Sequence, residues 1–347
     1  MQYHQIILAV CGILVVALVI GAAGLFSGGP SGEREVVVYT SVDQVYAEPI
    51  LQQFEEASGI RVRAVYDVEA TKTTGLVNRL IAEKNNPVAD VFWNGEFMQM
   101  ILLKEKGVLA PYVSPEAADI PYPYRDPAGY WAGIGGRARI FLVNTDRLTP
   151  DRYPHSIVDL AGGNISGEEI GIPYPIFGTS ATHAAALYAV LGDEAAKSFY
   201  QELKDRNVRV VDGNSVVRDL VASGQLSVGL TDTDDACGAI EKGAPVAIII
   251  PDQGAGEIGT LIIPTTVAYI ASAPHPDEGE ALIDYLLSKE TEQQLMDIGW
   301  IQISPRLNGS SAACIGTDSI RGMAVTPEAM YAKLQQSKQE LTEVFVR

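Results

Sequence analysis

An acidic stretch with residue types suited to binding a cation follows the apolar run 226–230. It reads "TDTDDACGA", residues 231–239, and places aspartates at positions 232, 234 and 235. A carboxylate ahead of a helix accepts hydrogen bonds from the first N–H groups and suits the helix dipole. One cap needs one aspartate, and three at the end of a predicted strand exceed that need. The pattern therefore predicts that Asp234 or Asp235 binds a ligand.

Two other chemistries also use paired carboxylates. An EF-hand calcium loop would require an oxygen ligand, a glycine and a glutamate where this chain has Ala236, Cys237 and Gly243. Glycoside hydrolysis needs carboxyl groups on opposite sides of a bond, which the adjacent Asp234 and Asp235 do not easily provide. The calcium loop is excluded, and a carboxylate-dependent hydrolase remains a further hypothesis.

Hydroxyl and amide residues recur where helices are predicted to begin. They are Thr40 and Ser41, Thr179 and Ser180, and Asn214 and Ser215. N–H groups and hydroxyls at such positions form an anion site, although capping alone also explains each position. His183, inside the predicted helix after "FGTS", is interpreted as structural. Arg137 and Arg139 lie on a predicted hinge strand and are expected to form ion pairs.

Strands and helices alternate along the chain. The segments "EVVVYTSV", "IRVRAVYDV" and "ADVFWNGE" have strand character, and amphipathic helical patterns separate them. This alternation predicts an α/β fold with a mostly parallel sheet, whose ligands sit beyond the carboxyl ends of the strands. Those ends are at residues 40–41, 67–71 and 93–96.

Two long predicted strands, near 137–146 and 260–272, divide the chain into two α/β lobes with a cleft between them. The first lobe is expected to comprise residues 35–136 and 264–320, and the second residues 140–259. Residues 321–347 form a terminal helical segment that is expected to pack against one lobe.

The N-terminus contains an uncharged apolar run, "IILAVCGILVVALVIGAAGLF", residues 6–26. A run of about 20 residues is long enough to span a bilayer core. Residues 1–32 are therefore predicted to be a signal anchor or a cleavable signal peptide with a linker. The anchor is favoured because the run is longer than most signal sequences and no basic residue precedes it. The remainder is expected to lie outside the cytoplasm.

Charge and cysteine content restrict the partners. A formal net charge of -18 argues against nucleic acid, because phosphate binding needs clustered lysine and arginine. No cysteine or histidine cluster suggests zinc. In an oxidising compartment Cys237 and Cys314 could pair, but their spacing does not decide this.

Three segments in this order resemble a known family: "VVVYTSVDQVYAEPILQQFEEASGIRV", "NNPVADVFWNGEFMQMILLKEKGVLAPY" and "VASGQLSVGLTDTDDACGAIEKGAPV". They are similar to extracellular solute-binding proteins of ABC importers, nearest the ferric-iron-binding branch, and the likeness covers Val36 to about Leu307. The resemblance implies a type II-like periplasmic-binding-protein fold in which two lobes close over a ligand. It further implies a monomer that delivers this ligand to a permease and its ATPase, without a resident cofactor.

The resemblance also suggests two ligand classes. Iron-binding members carry adjacent tyrosines after the "VGL" strand, where this chain has aspartates, and Asp43 and Asn94 replace a histidine and a glutamate. Carboxylates are hard donors, so ferric iron or an iron complex stays the first hypothesis, with a four-residue cation set. That set is Asp43, Glu96, Asp234 and Asp235. The alternative is a phosphonate, an aminophosphonate or another small anion held by Ser41, Thr179 and Ser180. Thr40 and Asn94 complete a predicted ligand-binding set of nine residues.

Overall fold

A computed structural model describes residues 34–67, 74–304, 306, 314–315 and 320–345. The predicted N-terminal segment 1–32 lies outside these ranges, as does most of the predicted strand end at 67–71. Within the described ranges, no helix combines the length and the apolar character that crossing a membrane requires.

Ten strands occur among the described residues, and they alternate with helices as the sequence predicts. The strands are β1 Glu35–Thr40, β2 Arg61–Tyr66, β3 Val91–Asn94, β4 Leu109–Ala110, β5 Ala132–Asn144, β6 Ile170–Pro173, β7 Arg209–Val211, β8 Val228–Asp232, β9 Val246–Ile249 and β10 Ile262–Ile270. The α-helices are α1 Gln44–Ser58, α2 Thr74–Glu83, α3 Met98–Glu105, α4 Ile157–Gly162, α5 Gly178–Leu191, α6 Asp193–Asp205, α7 Asn214–Ala222, α8 Thr233–Glu241, α9 Pro276–Leu287, α10 Lys289–Asp297 and α11 Pro327–Phe345.

The first lobe is built on the sheet β2-β1-β3-β10-β5, to which β4 adds beside β10. β1 runs parallel to β2 and β3, whereas β10 is antiparallel to β3 and β5. Alternate residues of β1 enter different cores: Val36 and Val38 pack on one face, and Val37 and Tyr39 on the other. Because both faces are covered, the strand reads as a continuous apolar run.

The second lobe is built on the sheet β5-β8-β6-β7, with β9 also beside β5. β5 belongs to both sheets: residues 132–138 pair with β10, and residues 139–144 pair with β8 and β9. The sequence predicted two crossing strands, but β10 pairs only within the first sheet. One continuous strand therefore links the two sheets.

The last helix, α11, contacts α5 and α6 of the second lobe and also α3 of the first. Met330 and Leu334 enter a core beneath the first sheet, while Leu341 enters a core of the second lobe. The expectation that this helix packs against a single lobe is therefore wrong. An amphipathic pattern identifies an apolar face but not how many surfaces that face covers.

Candidate functional site

A cavity lies between the lobes, at the carboxyl ends of β1, β3, β6 and β8. The volume of the cavity that is open to a water-sized molecule is about 80 Å³, which suits a small ligand. Seven of the nine predicted ligand residues line it: Ser41, Asp43, Glu96, Thr179, Ser180, Asp234 and Asp235. The rule that parallel sheets bind ligands beyond their carboxyl ends accounts for this placement.

Thr40 and Asn94 do not line the cavity, so their predicted direct contact with ligand is not supported. Both are fully buried. The hydroxyl of Thr40 accepts a hydrogen bond from the Val42 N–H at 3.0 Å. Asn94 accepts from the Ser41 hydroxyl and donates to the carbonyl of Glu96 at 2.7 Å. They support the cavity wall, and strand-end position alone does not separate lining residues from supporting ones.

Glu96 lines the cavity, but its carboxylate is already occupied by hydrogen bonds. Its oxygens accept from the N–H groups of Met98 at 2.6 Å and Gln99 at 3.1 Å, which belong to the start of α3. The hydroxyl of Thr182, on α5 of the other lobe, donates to it at 3.0 Å. Burial raises the pKa of this carboxyl above its ordinary value despite those donors. Glu96 therefore caps a helix and joins the lobes.

The four carboxylates that the sequence predicts as cation ligands share this cavity, but they do not form a metal cluster. Among the described residues, no group of three or more histidine, cysteine, aspartate or glutamate side chains is arranged to hold a metal ion. Asp234 instead accepts from Arg137 Nη1 at 3.2 Å. Asp235 accepts from Arg218 Nη1 at 3.0 Å. The guanidinium partners reduce the negative charge that the acidic motif suggests when it is considered alone.

Asp232 occupies the N-cap position of α8, but its side chain makes no capping hydrogen bond. It accepts instead from Arg139 Nη1 at 2.7 Å, the Thr179 hydroxyl at 2.7 Å and Asn214 Nδ2 at 3.0 Å. Burial alone would raise its pKa, but the charges of Arg139 and Arg137 bring the pKa below its ordinary value. Asp232 therefore has the position that the capping interpretation predicts. Its carboxylate does not bind the N–H groups of α8, because the buried Arg139 guanidinium binds it instead.

Arg137 is the cation of the cavity wall. Its Nη2 donates to the carbonyl of Gly95, and its guanidinium lies 4.4 Å from the centre of the Trp300 ring. Burial works against its charge, but Asp234 and Asp232 raise its pKa above the usual range, so it stays protonated. Its buried Nε has no hydrogen-bond acceptor within the described part of the chain. Arg137 and Arg139 both form the ion pairs that the sequence predicted, at 3.2 and 2.7 Å.

Two helix N-termini point their first turns to the same cavity. Residues 178–180 of α5 and 214–215 of α7 line it. Neither N-cap residue, Phe177 or Gly213, forms a side-chain cap. The positive ends of two helix dipoles therefore meet at one place, which favours an anion. The Ser41 hydroxyl is less available, because it donates to Asn94 and accepts from the Gly95 N–H at 3.0 Å.

Two features that the sequence singled out lie outside the cavity. Cys237, on α8, forms a disulfide with Cys314, with their Cα atoms 5.6 Å apart. His183 is buried and does not line the cavity. Burial, with the charge of Arg139, lowers its pKa to about 3, so its ring is neutral near neutral pH.

Sequence reasoning missed the aromatic residues of the site. Trp300 lines the cavity although it lies far along the chain from the strand ends, and Tyr46 packs on it with ring centres 5.2 Å apart. Tyr174 and Phe177 line the opposite wall, 5.9 Å apart. Tyr46 falls one helical turn after Asp43, and this spacing was the one available clue.

A two-lobed α/β fold with a small cavity between the lobes defines a solute-binding protein. Residues 86–312 match the family model of bacterial extracellular solute-binding proteins, and the chain belongs to this family. As a member of this family it is a solute-binding protein that acts outside the cytoplasm, and it is not an enzyme. The hydrolase hypothesis is therefore wrong.

Individual similarities are more distant. A putative 2-aminoethylphosphonate-binding periplasmic protein of Salmonella typhimurium is 25% identical over 281 residues, which cover 79% of this chain and 80% of that one. An Fe(3+)-binding periplasmic protein of Serratia marcescens is 26% identical over 203 residues, covering 58% and 57%. The structure of a ferric binding protein from Campylobacter jejuni superposes with a TM-score of 0.77 at 22% identity, covering 90% of this chain and 100% of that one, which supports the fold.

Proposed function

We propose that the protein captures a small zwitterion, with a phosphonate, phosphate or carboxylate at one end and an ammonium group at the other. It delivers this ligand to an ABC permease and its ATPase. The observation that carries the proposal is Arg137, which is buried, charged and part of the cavity wall, with an Nε that has no acceptor among the described residues.

The anionic end of the ligand is assigned to the Arg137 side of the cavity. The uncapped first turns of α5 and α7 supply N–H groups there, and a guanidinium binds phosphonate and carboxylate oxygens with charge-assisted hydrogen bonds. Ser180 and Ser215, at these helix starts, line the same cavity as Arg137. Together these groups favour an anion without any contribution from a metal.

The cationic end is assigned to the acidic wall. Asp43, from the start of α1, faces the cavity together with Asp234 and Asp235 of α8. The guanidinium groups of Arg137 and Arg218 pair with Asp234 and Asp235, and Asp212 adds a further carboxylate to the lining, so this part of the cavity suits an ammonium group. A relative named for 2-aminoethylphosphonate binding supports a ligand of this class.

Ferric iron, or an iron complex, is the second candidate. It is supported by the Serratia relative named for Fe(3+) binding and by the hard carboxylate donors of the cavity wall. Because the described donors form no cluster of three, iron would need an accompanying anion to complete its coordination. That anion would occupy the Arg137 side, so this candidate uses the same cavity.

Several finer features are proposed on sequence grounds. Residues 6–26 anchor the protein in the membrane or serve as its signal peptide, and the binding unit works as a monomer. The first lobe comprises 35–136 with 264–320, the second 140–259, and residues 321–347 form the terminal segment. Mass spectrometry of the protein isolated from its host would report whether the first residues are retained.

Isothermal titration of the purified full chain tests the ligand class. The probes are 2-aminoethylphosphonate, ethylphosphonate, ethylamine and ferric citrate. We expect the zwitterion to bind most tightly, because only it satisfies both walls. Exposed Arg79, which pairs with Glu83 at 2.7 Å, provides the control Arg79→Lys, which should bind as the wild type does. Tight binding of ferric citrate alone would favour the second candidate, and binding of none of the probes would refute both.

A further inference from the structure

Phe177 is an aromatic residue of the cavity lining that stays exposed. It is 40% exposed, and it is the only exposed phenylalanine in the part of the chain that the structure describes. It lines the cavity between the lobes, as Tyr174 does. Covering a phenyl ring is strongly favourable in water, so a ring exposed in a cleft offers apolar surface for a ligand to cover.

The segment that carries Phe177 is anchored to the second lobe. It joins β6 to α5, and its first residue, Tyr174, donates its N–H to the carbonyl of Val211 on β7 at 2.8 Å. Pro175 restricts the backbone that follows, and Ile176 packs against a core of the second lobe. The segment therefore presents the Phe177 ring to the cavity before any ligand arrives, which lowers the entropy cost of a contact.

Phe177 directly precedes the helix start that is assigned to the anionic end of the ligand. It is the N-cap residue of α5, and its carbonyl accepts a hydrogen bond from the Ala181 N–H at 3.0 Å. Residues 178–180, the first three of the helix, line the cavity with it. An anion held by the N–H groups of this first turn therefore has the Phe177 side chain as a neighbour. The atoms attached to the charged group lie within reach of the ring.

A phenyl ring beside an anion site distinguishes organic anions from inorganic ones. A phosphonate or a carboxylate carries a carbon chain on its charged group, and each methylene that a ring covers raises affinity by about fourfold. Inorganic phosphate presents only oxygen atoms, which lose water beside a phenyl ring and gain no hydrogen bond from it. The negative face of the ring also disfavours these oxygens. The ring therefore selects for the carbon chain.

We infer that Phe177 is a specificity-determining residue whose ring contacts the carbon chain next to the anionic group of the ligand. Tyr174 supports this ring, with the two ring centres 5.9 Å apart and their planes tilted by 31°. The inference rests on the proposed function and narrows the anionic end to a group that carries an alkyl chain. Free phosphate has the charge without the chain and is disfavoured at this position.

The test measures how affinity depends on the carbon chain. The full chain is titrated with inorganic phosphate, methylphosphonate and ethylphosphonate, and with 2-aminoethylphosphonate as the reference for the proposed function. In the wild type, ethylphosphonate should bind about fourfold more tightly than methylphosphonate, and phosphate should bind most weakly. Phe177→Ala should bring the two phosphonates within about twofold of each other and leave phosphate unchanged. Phe177→Leu stays apolar and should keep most of the difference.

A matched variant and the pattern of losses separate the outcomes. Val158, on α4 of the second lobe, is 65% exposed and does not line the cavity, so Val158→Ala should change no affinity. An equal loss for phosphate and both phosphonates in Phe177→Ala would mean that the ring contacts the other lobe instead of the ligand. An unchanged ratio would mean that it contacts neither. Either result overturns this inference, whereas binding of 2-aminoethylphosphonate by the wild type still supports the proposed function.

The wild type itself tests the proposal on which this inference rests. If it binds none of the four probes, the proposed function fails, and the contact with Phe177 fails with it.

Discussion

Two buried arginine–aspartate pairs lie side by side in the molecule and differ in what they join. Arg139 and Asp232 are direct cross-strand partners in the second sheet, where β5 pairs with β8. Arg137 lies two residues earlier, on the part of β5 that pairs with β10 in the first sheet, and its partner Asp234 belongs to α8 of the second lobe. One pair therefore lies within a lobe, and the other spans the cleft.

The contacts of the two pairs follow from this difference. The pair within the lobe is shorter, at 2.7 Å against 3.2 Å, and Asn214 and Thr179 add hydrogen bonds to it. The pair across the cleft lines the cavity with both of its members, whereas Arg139 does not line it. The first pair is built to stabilise a lobe and the second to respond to what enters between the lobes.

The largest effect is expected from removing the charge within the lobe. Arg139→Met leaves the buried Asp232 carboxylate without its guanidinium and should lower the free energy of unfolding by about 3–5 kcal/mol. Chemical denaturation monitored by circular dichroism measures this loss. Arg79→Met removes an exposed ion pair and should cost about 1 kcal/mol or less. If the two variants were equally stable, the assigned role of Arg139 would be wrong.

A fall in pH should lower the stability of the protein because of His183. Its pKa is lowered to about 3 by burial and by Arg139, with Asp232 acting in the opposite direction, whereas an unfolded histidine titrates near 6.5. Between these values only the unfolded chain takes up the proton, so stability falls as pH falls, by at most about 1.4 kcal/mol per pH unit. Denaturation at a series of pH values measures the slope. His183→Gln should flatten it, and an unchanged slope would assign the acid sensitivity to other groups.

The disulfide constrains α8, the helix that carries Asp234 of the ion pair across the cleft. Cys237 lies on α8 with Asp234, and its partner is 77 residues away in sequence. Replacing Cys237 and Cys314 by serine should destabilise the protein by about 2–4 kcal/mol, because the unfolded chain gains freedom. Thermal unfolding of the oxidised and reduced wild type should reproduce that difference. Cys11→Ser is the control, and it should unfold as the wild type does under both conditions.

The smallest free-energy change is expected for a substitution that weakens ligand binding. Arg137→Lys keeps a positive charge but loses the planar contact with Trp300 and the Nε donor. We expect about tenfold weaker binding of 2-aminoethylphosphonate, which is about 1.4 kcal/mol, measured by titration calorimetry. Arg139→Lys should instead change stability more than affinity. If Arg139→Lys mainly lowered affinity and Arg137→Lys mainly lowered stability, the roles assigned to the two arginines would be wrong.

The fold could be predicted from the sequence because the patterns that indicate it are local. Alternating apolar runs and amphipathic helices predicted two α/β lobes, and strand ends predicted where Ser41, Asp43, Asp234 and Asp235 would gather. Local pattern cannot report a partner that is 97 positions away, which is the separation of Arg137 and Asp234. It also cannot show that the carboxylate oxygens of Glu96 accept hydrogen bonds from the start of α3 and from Thr182. The acidic motif was therefore located correctly, while its neutralisation by arginine was missed.

The placement of α11 sets the order in which the protein can finish folding. Its Met330 and Leu334 fill a core of the first lobe that includes β1, and its Leu341 fills a core of the second lobe whose first strand is β5. A chain emerging from the ribosome presents these three residues late. Neither lobe has its complete apolar interior until they arrive, so the native packing of both lobes waits for α11.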